Sequence, residues 1–152
     1  MESWRKVWRE GFAPVLSTGA LDALWQALRK DDPRLLQGAS CNPLPLMCHG
    51  ELELCGCCSI SWGGWQGEKL ATVGEVDEYF ARMCFEADQR LGEPGAIRWF
   101  LNWYDDTPRA EMRLEMLDEV QRTLEQRFIM DRLNNVAGRR QRVGRAGLVT
   151  AA

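Results

Sequence analysis

The sequence predicts a mainly α protein, an irregular bundle of four or five helices interrupted at about residues 38–67 by a Cys/Trp-rich loop or small β-hairpin. Three observations carry that prediction. Apolar residues recur at three- and four-residue spacing along most of the chain, cap and stop residues bracket those stretches, and the spacing vanishes between Gly38 and Gly67. A length of 152 residues with 45% hydrophobic and 27% charged side chains suits one ordinary packed domain. We expect that domain to span residues 1–137, with 138–152 as a basic, flexible tail.

The first helix is expected over 3–10. Ser3 is its N-cap, Trp4, Val7 and Trp8 share a face, and Gly11 closes it. A second helix should run from Ser17 or Thr18 to about Lys30, with Leu21, Leu24, Trp25 and Leu28 as its apolar stripe, before Asp32-Pro33 breaks the chain. One further helical turn is expected through Leu35 and Leu36. In the irregular segment, residues 51–55 and 58–62 alternate well enough for a hairpin turning at Gly56-Cys57.

Thr72 and Glu75 form a capping box, and the helix behind them should reach Leu91, where Gly92 and Pro94 stop it. Residues 95–104 are apolar almost all round, which predicts a helix buried on most sides at the centre of the bundle. Thr107 and Pro108 then read as N-cap and N1 of a long helix ending near Asn134. Asp105 and Asp106 are expected to favour that helix N-terminus.

Charge is distributed unevenly. Residues 1–131 hold 14 basic and 22 acidic side chains, a balance of −8, whereas the last 21 carry +5. Gly138, Gly144 and Gly147 lie among those arginines and argue against a continued helix. Charges scattered through the first ten residues are unlike a secretory signal, and there is no apolar run long enough for a transmembrane helix. We therefore expect a soluble, cytoplasmic protein with no membrane association, whose six cysteines are thiols or metal ligands.

Five of those cysteines and the single histidine fall within 38–67. Cys55 and Cys58 have the spacing of a metal knuckle, and Cys41, Cys48 or His49 could complete a tetrahedral zinc site; the competing reading is small hydrophobes packed under a loop. The cofactor expectation is accordingly none, or zinc. A thioredoxin-like pair at 55–58 is disfavoured because Ser59–Gly64 is a poor helix former. Adjacent Cys48 and His49 should point apart, which weakens a Cys–His nucleophile. Trp62-Gly63-Gly64-Trp65 suits an aromatic wall for a ligand or an anchor for a long loop.

With no phosphate loop, nucleotide fingerprint or metalloprotease helix in the sequence, the leading expectation is a non-catalytic protein-interaction module, an accessory subunit of a larger assembly. Its partner contacts are expected at Trp62, Trp65, Trp99 and Trp103. The alternatives are a zinc-stabilised domain and an accessory subunit of a nucleic-acid-binding complex. In the last, Arg139, Arg140, Arg142 and Arg145 would contact phosphates.

Overall fold

The computed structural model describes residues 3–38 and 51–150, with side chains described through Gly144. The chain is mainly helical, and among the described residues there is no β-strand. Helix α1 (Trp4–Val7) runs through a π-turn (Trp8–Phe12) into α2 (Ala13–Val15), followed by α3 (Thr18–Lys30). Next come α4 (Ser59–Trp62), continued by a second π-turn (Gly63–Gly67), then α5 (Val73–Leu91), α6 (Arg98–Asp106) and α7 (Arg109–Thr150).

Capping residues set the boundaries where they exist. Ser3, Ser17 and Thr72 each accept a backbone N–H two or three residues into the following helix, and Thr72 with Glu75 completes the capping box. At the other ends, Asp31 (φ 52°) closes α3 and Gly92 (φ 69°) closes α5 in the left-handed conformation. Gly11, expected as a terminator, does not end the first helix. A Cβ there would lie 3.0 Å from Leu91 Cδ1, so its glycine lets the π-turn sit tightly against α5 while the helix continues to Val15.

This N-terminal helix, rather than 95–104, occupies the centre. Val7, Trp8 and Phe12 are fully buried among α5, α6 and α7. Helix α6 lies against it as an outer layer. Only Phe100 and Tyr104, four residues apart on one face, are buried, because a nine-residue helix on the rim of a bundle has one inward side. Phe100 meets Phe12 at 5.2 Å and Trp8 at 5.6 Å between ring centroids. Polar groups finish both ends of α6. Asp88 accepts the N–H groups of Gly95 and Ile97, and the Gln37 amide donates to the carbonyls of Tyr104 and Thr107.

Asp105 and Asp106 close α6 instead of leading α7, and Asp105 accepts the Gly38 N–H at 2.8 Å. Helix α7 starts at Arg109, with Met112 N–H donating to Pro108 O, one residue beyond the expected start. Its length is the larger correction. Helix α7 reaches Thr150, so the break expected at Gly138 and the non-helical character expected of the tail are not observed over 138–150; the last two residues of that expectation lie outside the described residues. Neither Gly138 nor Gly144 adopts a positive φ, and an interior glycine costs only about 1 kcal/mol against alanine when no competing cap pulls the chain aside.

The expected hairpin is absent as well. Glu53 pairs with Thr72, and Cys57 pairs in parallel with Leu35, so the two halves of 51–58 bond to different neighbours instead of to each other. Gly56 is not a turn glycine; a Cβ on it would strike Arg34 O at 2.6 Å. Leu35 and Leu36 supply that bridge in place of a helical turn, with Leu36 N–H donating to Cys57 O. Ser59–Trp62 is helical against its propensity because Ile60 and Trp62 gain full burial there. The following glycines sit where nothing larger fits, since a Cβ on Gly64 would fall 2.6 Å from the Tyr79 ring and one on Gly67 would fall 2.5 Å from Ala20 Cα.

Candidate functional site

Helix α7 is one helix with two environments. Met112, Met116, Glu119 and Val120 are fully buried, and Trp8 donates its indole N–H to Thr123, whose hydroxyl donates to Glu119 O. Glu119 carries a charge into this interior. It accepts from Arg5 Nη1 at 2.7 Å, Arg9 Nη2 at 2.7 Å and Arg9 Nε at 2.9 Å. Burial pushes its carboxyl up, but the hydrogen bonds from Arg9 and Arg5 outweigh that and hold it below the ordinary carboxylate range. The ion pairs fasten the first helix to α7.

Three arginines of the same half reach the body's backbone. Arg109 donates to Leu35 O and Asp32 O, Arg113 to Leu28 O and Arg29 O, and Arg127 to Ala13 O and Leu16 O. Each guanidinium thus satisfies carbonyls left open where a helix or turn ends. Arg127 is the last α7 side chain that hydrogen-bonds to another element among the described residues.

Beyond it the helix stands clear, and no described side chain from Phe128 to Gly144 is buried. Twenty-three residues remain to Thr150, about 34 Å at the ordinary helical rise. Ile129, Leu133, Val136 and Val143 are exposed by 56%, 59%, 47% and 73%. Separated by four, three and seven residues, they line one strip of the arm. Arg139 and Arg140, two of the expected phosphate contacts, are exposed beside and within that strip; Arg142 is exposed on the outer face, and Arg145 lies in the helical part whose side chains are not described.

The tryptophans divide differently from expectation. Trp62 is buried, donates its indole N–H to Ala23 O at 3.1 Å and meets Trp65 edge-on at 5.4 Å. It is an anchor of the segment that holds it, with the Arg34 guanidinium over both indoles. Trp103 stacks on Trp4 at 3.5 Å between centroids, and Trp65 is half-buried. Trp99 alone of the four presents a large exposed surface.

Of the expected zinc ligands, Cys41, Cys48 and His49 lie outside the described residues. Cys55 is exposed and Cys58 is buried, and no group of three or more His, Cys, Asp or Glu side chains among the described residues is placed to hold a metal. Cys58 does precede a helix, contrary to the expectation that Ser59–Gly64 would not form one. Burial nevertheless pushes its thiol up, against the hydrogen bonds it shares with Ser61, and burial pushes Cys84 up to about 12. Neither of these two thiols is tuned as a nucleophile at neutral pH.

A groove of about 390 Å³ between α3 and the second π-turn is open and polar, bordered by Asp22, Gln26, Lys30, Arg34 and Lys69. No helix among the described residues is long and apolar enough to cross a membrane. Comparison of the chain with protein-family models, curated proteins and solved structures finds no match.

Proposed function

We propose that this chain is a non-catalytic protein-interaction module whose docking element is the projecting half of α7. The reading is supported above all by one observation: Ile129, Leu133, Val136 and Val143 form an exposed apolar strip on a helix that the body leaves uncovered. Isolated apolar residues on a surface need no explanation, but four aligned along one projecting helix are the pattern of anchors for a groove or a partner helix. The body behind the arm is well suited to a scaffold, because arginine caps and the buried Glu119 fix the direction in which α7 leaves it.

The test is site-specific photocrosslinking in the cells that make the protein, with a benzophenone side chain in place of Leu133 or, as control, of Asp22 in the polar groove beside α3. The expected result is a discrete heteromeric adduct from the arm position alone. Its protein component should then form a complex with the purified chain that Leu133→Asp abolishes. Equal adducts from both positions, or a purified complex indifferent to Leu133→Asp, would overturn the proposal.

A further inference from the structure

We infer that the arm's partner is an acidic amphipathic helix, one with apolar residues along its seam and carboxylates along one flank. This rests on the docking role proposed for the arm and specifies the chemistry of the surface that meets it. Arg132 and Arg139, seven residues apart, each precede a seam position and so line one edge of the strip; Met130, Ala137 and Gly144 line the other. Arg140 interrupts the seam itself, between Val136 and Val143. From Phe128 to Gly144 four arginines face a single acidic residue, Asp131, for a net charge of +3.

These arginines differ from the ones nearer the body. Arg132 lies over the Phe128 ring at 5.8 Å, and Arg142 donates to Gly138 O of its own helix at 3.4 Å. Neither contact neutralises a charge. The far end of the arm also extends beyond a Debye length of about 10 Å at 0.1 M salt. The acidic body therefore does not repel a partner bound at that end.

A second copy of the chain is a poor occupant of the strip. Parallel pairing sets Arg140 against its own copy inside the seam. Antiparallel pairing that stacks Val136 on Val136 and Ile129 on Val143 brings Arg132 beside Arg139 and Arg140 of the second copy. Both registers juxtapose like charges in a partly desolvated seam. Nucleic acid would satisfy the arginines but leave Ile129, Leu133, Val136 and Val143 wet, and Phe128 is the one aromatic available for stacking from there to Gly144. A helix carrying both features covers the apolar strip and pairs the guanidinium groups at once.

The test uses the full chain and three synthetic helical peptides that share a leucine seam and carry Glu, Gln or Lys on the flanks, with a single-stranded RNA and a duplex DNA as further probes. Fluorescence anisotropy should show the Glu peptide binding about tenfold or more tightly than the Gln peptide, an advantage that salt erodes. The double change Arg132→Gln and Arg139→Gln should remove that advantage without altering the circular dichroism spectrum. Leu133→Asp should weaken the Glu and Gln peptides alike. Equal binding of those two peptides overturns the acidic partner and leaves the docking role standing, whereas failure of all three overturns both. Tighter binding of either nucleic acid than of the Glu peptide, or sedimentation as a dimer joined through the arm, also overturns the inference.

Discussion

The two halves of α7 contain the same residue types and use them in opposite ways. In 109–127 the methionines are buried and three of the four arginines, Arg109, Arg113 and Arg127, end on backbone carbonyls of α2, α3 and the turns after them; in 128–144 Met130, Leu133 and Val136 are wet and the arginines find no carbonyl outside their own helix. Apolar periodicity does not distinguish the halves, and the shift from a net charge of −1 to +3 does not by itself say which half is covered. What distinguishes them is whether the earlier chain supplies helix ends to cap and an apolar face to cover.

The largest expected effect that would break this comparison is at Met116. Met116→Ala empties a fully buried site and should cost about 2–5 kcal/mol in urea unfolding. A loss comparable to that of a surface change would mean the first half is not anchored as described. Next is Glu119→Gln, which removes the charge gripping Arg5 and Arg9; with those guanidinium groups over one third exposed, the expected loss is about 1–2 kcal/mol. Because the folded-state pKa of Glu119 is lowered, its contribution is present above the ordinary carboxylate range and disappears as pH falls through that lower value. Stability measured against pH should therefore show a shallower acid limb in the Gln variant.

Two glycines sharpen the contrast at a scale of about 1 kcal/mol, with opposite signs. Gly92→Ala forces a side chain onto a left-handed helix terminus and should destabilise the fold. Gly138→Ala, in an open helical position, should leave the urea midpoint unchanged or raised and increase the helical signal in circular dichroism. A helical signal that falls would place a terminator at Gly138 after all. Smallest of all is Leu133→Ala, expected within about 0.5 kcal/mol of the parent in the same unfolding assay. A larger loss would show that the arm packs on something in the isolated protein.

Much of this architecture is legible in the residues. Ser17, Thr72 and Gly92 mark helix ends because their chemistry acts locally, through a hydroxyl on a nearby N–H or a backbone without a Cβ, and those ends fall where expected. Several of the errors trace to glycine. Gly11 and Gly64 are dictated by neighbours distant in sequence, Leu91 and Tyr79, and nothing local separates such a close approach from a stop signal. Likewise Cys57 bonds to Leu35 across a gap that no alternation pattern reveals. The apolar strip of the arm was readable in principle as Ile129, Leu133, Val136 and Val143, but Gly138 and Asn135 masked its continuity. The tryptophans misled because an indole serves equally as core anchor, as in Trp62, and as exposed surface, as in Trp99.

The ion pairs at Glu119 have a consequence for biosynthesis. Arg5 and Arg9 emerge from the ribosome more than a hundred residues before the carboxylate that receives them; the Ala13 carbonyl of α2 waits 114 residues for Arg127 and that of Leu28 in α3 waits 85 for Arg113. The nascent chain must carry Trp8 and Phe12 without their final cover until α7 has been translated, a period of several seconds at about 5–20 residues per second. Messages cut short before α7 would yield a sticky product rather than a smaller working one.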